Sequence, residues 1–165
     1  GGVAVTGYRA PSFSIDARTP WAHAMLADAG YAYSSSVAPV RHDHYGWPES
    51  PRFAWKPLSD APLIELPVTT ARFAGRTLAA GGGGFFRLLP YAFSRHAVAQ
   101  VNALGHPAIL YFHPWEIDPG QPRVADAPLR SKLRHYSRLG AMEGKLEHLL
   151  GDCAWAPINS IVPVL

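Results

Sequence analysis

His113 is the residue whose neighbours best suit it to chemistry. It follows the apolar run Ile109-Leu110-Tyr111-Phe112 and opens the segment Pro114-Trp115-Glu116-Ile117-Asp118-Pro119. An imidazole titrates near neutrality, so it can give or take a proton at physiological pH. A histidine here can equally be a core residue whose ring nitrogens are satisfied by neighbours. Glu116 and Asp118, two apart, can polarise His113 or cap the turn that follows. Arg9 is the second candidate, because a guanidinium at a strand end can hold a carboxylate through two parallel hydrogen bonds; pairing within the scaffold is the plainer use. The third is Arg41-His42-Asp43-His44-Tyr45-Gly46-Trp47. His42 and His44 can chelate a metal only with a third ligand from elsewhere. They can also touch substrate or order their own loop. Tyr45 and Trp47 can stack on a sugar ring or pin the loop to the core.

Such groups need a frame. Residues 3–8 predict a strand, and Arg9 follows its end. Thr19-Pro20-Trp21 predicts a helix start, with Thr19 capping and Pro20 at the first helical position. Trp21, Met25 and Ala29 are spaced to face the core, and Gly30 stops the helix. Residues 31–34 and 63–66 predict strands, separated by a long loop rich in Pro, His and aromatics. Ser94 is expected to cap a helix running to Leu104, and residues 108–112 form the strand before His113. Residues 129–150 are helical in character, in two pieces around residues 140–144, and Gly151 ends them. Residues 155–162 close the chain as a strand or extended tail. The alternation predicts an α/β fold. In a barrel of parallel strands, Arg9, residues 34–36 and His113 converge on one face.

The glycine run Gly81-Gly82-Gly83-Gly84 lacks the Lys-Ser/Thr of a phosphate loop and the spacing of a dinucleotide fingerprint. It is expected to permit tight turns or close backbone approach. The 165 residues carry 48% hydrophobic and 16% charged residues, as a folded globular chain does. Neither a signal peptide nor an apolar run of membrane-spanning length is visible. The lone Cys153 excludes an internal disulfide and a CxxC metal site. The net charge is +3. Its densest patch, Arg130-Ser131-Lys132-Leu133-Arg134-His135, is expected to be a solvated helix face. A nucleic-acid partner is not expected, since only Tyr136 interleaves with that charge.

Four segments in order carry a family resemblance: Gly7-Tyr8-Arg9-Ala10-Pro11-Ser12-Phe13-Ser14-Ile15; Ser35-Ser36-Val37-Ala38-Pro39 with Arg41-His42-Asp43; residues 81–89; and Phe112-His113-Pro114-Trp115-Glu116-Ile117-Asp118-Pro119. Together they resemble the polysaccharide deacetylase family, whose core is the NodB homology domain. The nearest branch is the bacterial exopolysaccharide-locus enzymes, which carry a C-terminal extension. The resemblance implies an irregular (β/α) barrel with a divalent metal, usually zinc, at its mouth. It implies removal of N-acetyl, sometimes O-acetyl, groups from a polysaccharide. In that chemistry a metal-bound water attacks the amide carbonyl, an aspartate is the base, and a histidine protonates the leaving amine. His113 matches the histidine. Arg9 matches the arginine that orients the base aspartate. His42, Tyr45, Trp47 and Trp115 are the expected substrate contacts.

The chain departs from the family pattern. It has no Asp-Asp pair and no His-x-x-x-His. Ser34 stands where related sequences often carry an aspartate that orients the catalytic histidine. The resemblance therefore implies the C-terminal portion of one deacetylase domain over residues 1–165, with 120–165 as the extension and the barrel incomplete. No metal is expected bound to these residues, and they are expected to be inactive alone. The compartment is open between bacterial cytoplasm and periplasm. Two alternatives remain: an allantoinase-like hydrolase of a small cyclic amide, and a non-catalytic carbohydrate-binding module.

Overall fold

The computed structural model describes residues 2–42 and 44–162, so Asp43 lies outside the described residues. Three short strands, β1 (Gly7–Tyr8), β2 (Tyr33–Ser34) and β3 (Ile64–Glu65), pair in parallel in that order. Parallel neighbours require crossovers. Helix α1 (Trp21–Asp28) supplies the first, and a long loop the second. The expected strands at 3–8, 31–34 and 63–66 are present, but each is only two residues long. Among the described residues the sheet does not close into a barrel. No described helix is long and apolar enough to cross a membrane.

Helix α1 turns a different face inward from the one its apolar spacing predicts. Trp21 is 64% and Met25 54% exposed, while His23 and Leu26 are buried. The reason is electrostatic. Glu65 at the end of β3 is fully buried, and His23 Nε2 lies 3.1 Å from its Oε2. A buried carboxylate must be matched by donors, and placing His23 there fixes the rotation of the helix. Thr19 does not cap it. Its hydroxyl instead bonds the Ser14 carbonyl and accepts from the Asp16 N–H.

A hairpin absent from the expected elements follows: β4 (Thr70–Phe73) and β5 (Arg76–Ala79), antiparallel. Ala74 and Gly75, with φ of 47° and 76°, make its two-residue turn, the left-handed pair such turns require. The glycine run then opens α2 (Gly83–Leu88). Helix α3 (Tyr91–Ala103) buries Ser94, Ala97, Val98 and Val101 on one face, so Ser94 is an interior residue and not the cap. The expected strand at 108–112 is an extended run tied to Thr69 and Gly81. Ile109 N–H donates to Thr69 Oγ1 at 2.7 Å, Thr69 N–H to the Ile109 carbonyl at 3.0 Å, and Tyr111 N–H to the Gly81 carbonyl at 2.9 Å. Beyond it lie α4 (Leu129–Tyr136), α5 (Met142–Asp152) and α6 (Ile158–Ile161). The break between α4 and α5 falls before Met142, so Gly144 is helical and Gly151 does not end α5. Residues 158–161 form a helical turn, not a strand: Ser160 N–H and hydroxyl both bond the Pro157 carbonyl.

The extended run divides the core by simple alternation. Leu110 and Phe112 pack on Phe86, Val98, Met142 and Leu149. Tyr111 points the other way, onto Phe13, Ala38, Val40 and Val68. Close approach of the glycine run makes this possible. A Cβ at Gly81 would stand 2.5 Å from the Ile109 carbonyl oxygen and 2.9 Å from the Thr69 nitrogen, and one at Gly83 would collide with the Glu116 carboxylate. Gly81→Ala is therefore expected to cost about 1–3 kcal/mol, since it must displace backbone. Gly84→Ala is the control. Nothing lies within 4 Å of its Cβ position, and a helical glycine replaced by alanine gains about 0.5–1 kcal/mol. Urea melts of the two variants should move in opposite directions; a shared direction would refute the close-approach reading.

Candidate functional site

Alternation carries His113 to the side of the run that holds Tyr111, and the turn after it fixes the ring. Pro114–Ile117 form one 3-10 turn. Glu116 reaches back from it, and its Oε2 accepts the His113 backbone N–H at 3.0 Å and lies 3.5 Å from His113 Nδ1. Its Oε1 pairs with Arg87 of α2 at 3.2 Å. Glu116 thus serves both His113 and the turn, while Asp118 caps the next turn by accepting the Gly120 N–H at 2.9 Å. The His113 side chain is 54% exposed. It is not a core histidine.

Arg9 and His113 both pack on Tyr111. The Arg9 guanidinium stands 5.6 Å from the Tyr111 ring centre, and the His113 ring packs edge-on at 5.7 Å. Arg9 Nε and one terminal nitrogen donate to the Ser35 carbonyl at 2.9 Å and its hydroxyl at 2.7 Å. The loop carrying Ser35 is itself fixed from below: Glu65 Oε1 accepts the Ser36 and Val37 N–H groups. Ser34, fully buried, donates to the Ser36 hydroxyl at 2.8 Å. After Arg9, Ser12 and Phe13 both adopt left-handed backbone, at φ 55° and 50°. Such strain, about 1–3 kcal/mol per residue, persists only where packing enforces it. Here Phe13 is clamped against Tyr111 at 4.8 Å and Tyr45 at 5.7 Å.

Two cavities meet at this point. One, of about 740 Å³, is lined by Arg9, Phe13, His42, Tyr45, Tyr111 and His113. The other, of about 670 Å³, is lined by Arg87, Tyr111, His113, Trp115 and the inner side of α4. His113 and Tyr111 belong to both walls. Three of the four expected substrate contacts therefore line these cavities, His42 and Tyr45, stacked at 4.1 Å, on one and Trp115 on the other, with His113 in both linings. Trp47 does not join them. It packs on the cluster of Ala10, Ile15, Leu26, Val37 and Leu63 and edge-on against Trp55. Among the described residues, no group of three or more His, Cys, Asp or Glu side chains could hold a metal ion.

Burial raises two phenols. Tyr91 is pushed up to about 12, with a 2.8 Å bond to Asp152 adding to the effect of burial. Tyr111 rises further, by burial and then by its neighbour Tyr45. A raised folded-state value favours the neutral phenol. The stability it contributes is complete below pH 10 and is lost as pH rises through about 12. Urea unfolding across that interval should show a steady loss. Phenolate absorbance should show these two tyrosines ionising later than the ordinary ones as pH rises; ionisation of all tyrosines near pH 10 in the folded state would refute this.

Several participants carry no local signal in the sequence. Arg87 is one lone arginine among many, and its partner Glu116 is 29 positions away. The basic patch of α4 is a solvated face as expected, since α4 buries no residue, and it also lines the second cavity. Its aromatic partner Trp115, which stacks on His135 at 4.1 Å, comes from a distant turn.

No curated protein and no solved structure matches the chain. A family model described as a domain of unknown function, DUF3473, matches residues 35–163, which include the extended run, His113 and the lining of the second cavity, but not Arg9 or Phe13 of the first. The chain is a member of the DUF3473 family.

Proposed function

We propose that this chain is the C-terminal portion of a NodB-type polysaccharide deacetylase domain that hydrolyses N-acetyl or O-acetyl groups on a bacterial polysaccharide. The observation that carries the reading is His113, exposed at the end of a core-facing run and standing between two open cavities. Amide hydrolysis needs a proton for the departing amine, and a positioned imidazole supplies one. Glu116 holds the His113 backbone and faces Nδ1, which leaves the rest of the ring toward the cavities. Arg9, which also packs on Tyr111, is assigned to steady the base. The parallel order β1-β2-β3 with a helical crossover suits a segment of a (β/α) barrel. The residues described do not fit the divalent metal that the resemblance implies. The metal ligands and the base aspartate are assigned to parts of the domain outside this sequence.

The test is acetate release from an N-acetylated sugar oligomer by the natural polypeptide that carries this sequence, supplied with zinc. Release that depends on metal and on His113 is expected. No release from N- or O-acetylated glycans, or hydrolysis of a small cyclic amide in their place, would overturn the reading.

A further inference from the structure

The loop after β2 clamps Arg9 by more than the side-chain bonds to Ser35. The Ser35 N–H donates to the carbonyl of Tyr8, just before Arg9, at 2.9 Å. The N–H of Ala10, just after it, donates to the Ser36 hydroxyl at 2.9 Å. Ser35 cannot turn away. Its hydroxyl proton goes to the Leu66 carbonyl at 2.7 Å, which leaves a lone pair facing Arg9. Ser34, Ser35 and Ser36 are all buried, so water does not compete for their polar groups.

One carboxylate holds this loop. Glu65 Oε1 accepts the Ser36 N–H at 2.7 Å and the Val37 N–H at 2.9 Å. Oε2 then requires a donor of its own, because a buried carboxylate oxygen left unmatched is costly. His23 Nε2, at 3.1 Å, stands in that place. His23 is 2% and Glu65 0% exposed, too deep for either to meet substrate. The imidazole is wedged in turn. The Trp55 ring stands edge-on to it at 5.8 Å, and the Trp55 backbone bonds Glu65 in both directions at 2.9 and 3.1 Å. Packing α1 on the sheet needs only apolar side chains, and Leu26 already supplies one. What His23 adds is a direction for the carboxylate.

We propose that His23 is a positioning residue for Arg9, acting through Glu65 and the loop of residues 35–37. The inference rests on the deacetylase reading for the task of Arg9, to steady the base; the clamp itself does not depend on it. Without the His23 donor, the Glu65 carboxylate swings off the amides of residues 36 and 37. The guanidinium is then no longer held at Ser35.

Arginine-selective labelling with phenylglyoxal, resolved peptide by peptide by mass spectrometry on the natural polypeptide, reads the clamp without turnover. His23→Leu fills the site with no donor, whereas His23→Gln keeps an amide N–H where Nε2 stood. Labelling of Arg9 is expected to rise at least about tenfold in His23→Leu and to stay within about twofold of the parent in His23→Gln. Should His23→Leu not fold, His23→Asn, whose amide stops at the place of Nδ1, carries the same expectation. Arg87, 1% exposed, is the internal control, because general loosening labels it too. Arg9 labelling that does not rise would overturn the proposal. So would a rise shared by Arg87, or His23→Gln labelled as fast as the variant without a donor. On the deacetylase reading, His23→Leu should also lower kcat on an N-acetylated oligosaccharide about 10–100-fold with KM little altered. In an Arg9→Ala background it should lower kcat no further. An undiminished second loss would mean that His23 acts on the scaffold and not through Arg9. A parent that releases no acetate would overturn the deacetylase reading alone, since the labelling is independent of turnover.

Discussion

Replacing Glu116 by alanine is expected to lower the free energy of unfolding by about 3–5 kcal/mol, the usual penalty for stripping one partner from a buried ion pair. Both partners are out of water: Arg87 is 1% exposed and Glu116 2%. Burial already pulls the Arg87 guanidinium below its ordinary pKa, and Glu116 is the group that opposes this. Without it the charge is left with the Trp115 face and one carbonyl. The His113 N–H also loses its acceptor. For a chain of this length the loss corresponds to a fall in melting temperature of about 6–20 °C. Glu116→Gln should lie between, since one amide oxygen can serve Arg87 or His113 but not both. The double variant Arg87→Met, Glu116→Leu should recover much of the loss, because neither charge remains to be compensated. A melting temperature for Glu116→Ala within about 2 °C of the parent would mean that water reaches the pair.

That pair also marks where local sequence stops being informative. Helices α1, α3, α4 and α5 were legible as elements, whereas α2 was not expected and residues 158–161 were expected as a strand or tail; the buried face of α3, Ser94, Ala97, Val98 and Val101, follows a helical period. The extended run before His113 was legible as an apolar segment, but the side on which His113 emerges was not, since a core histidine remained open. What failed had long-range causes. The rotation of α1 depends on Glu65, 42 positions from His23. The hairpin β4–β5 turns on Ala74-Gly75, and alanine is not a residue that signals a left-handed turn. Trp47 and Tyr45 are nearly adjacent, yet one faces the core and the other a cavity. The glycine run shows the opposite case. Its expected purpose, close backbone approach, was correct, but its partners at Ile109 and Glu116 could not be named from spacing.

His113→Ala should separate chemistry from scaffold most sharply. The side chain is 54% exposed and its anchoring bond to Glu116 is made by the backbone. Stability should therefore change by no more than about 0.5 kcal/mol. If His113 is the general acid of the proposed deacetylase, kcat on an N-acetylated oligosaccharide should fall by about 10²–10⁴-fold with KM little altered. The leaving group provides the decisive control. An amine must be protonated as it departs, whereas an aryl oxide leaves unaided. The variant should thus hydrolyse an aryl acetate nearly as well as the parent while failing on the amide. A structural role would depress both substrates alike, whereas a contact that merely orients the sugar would raise KM on the oligosaccharide and not lower kcat. Equal losses on amide and aryl ester would remove His113 from the proton-transfer step, even if the chain proves to be part of a deacetylase.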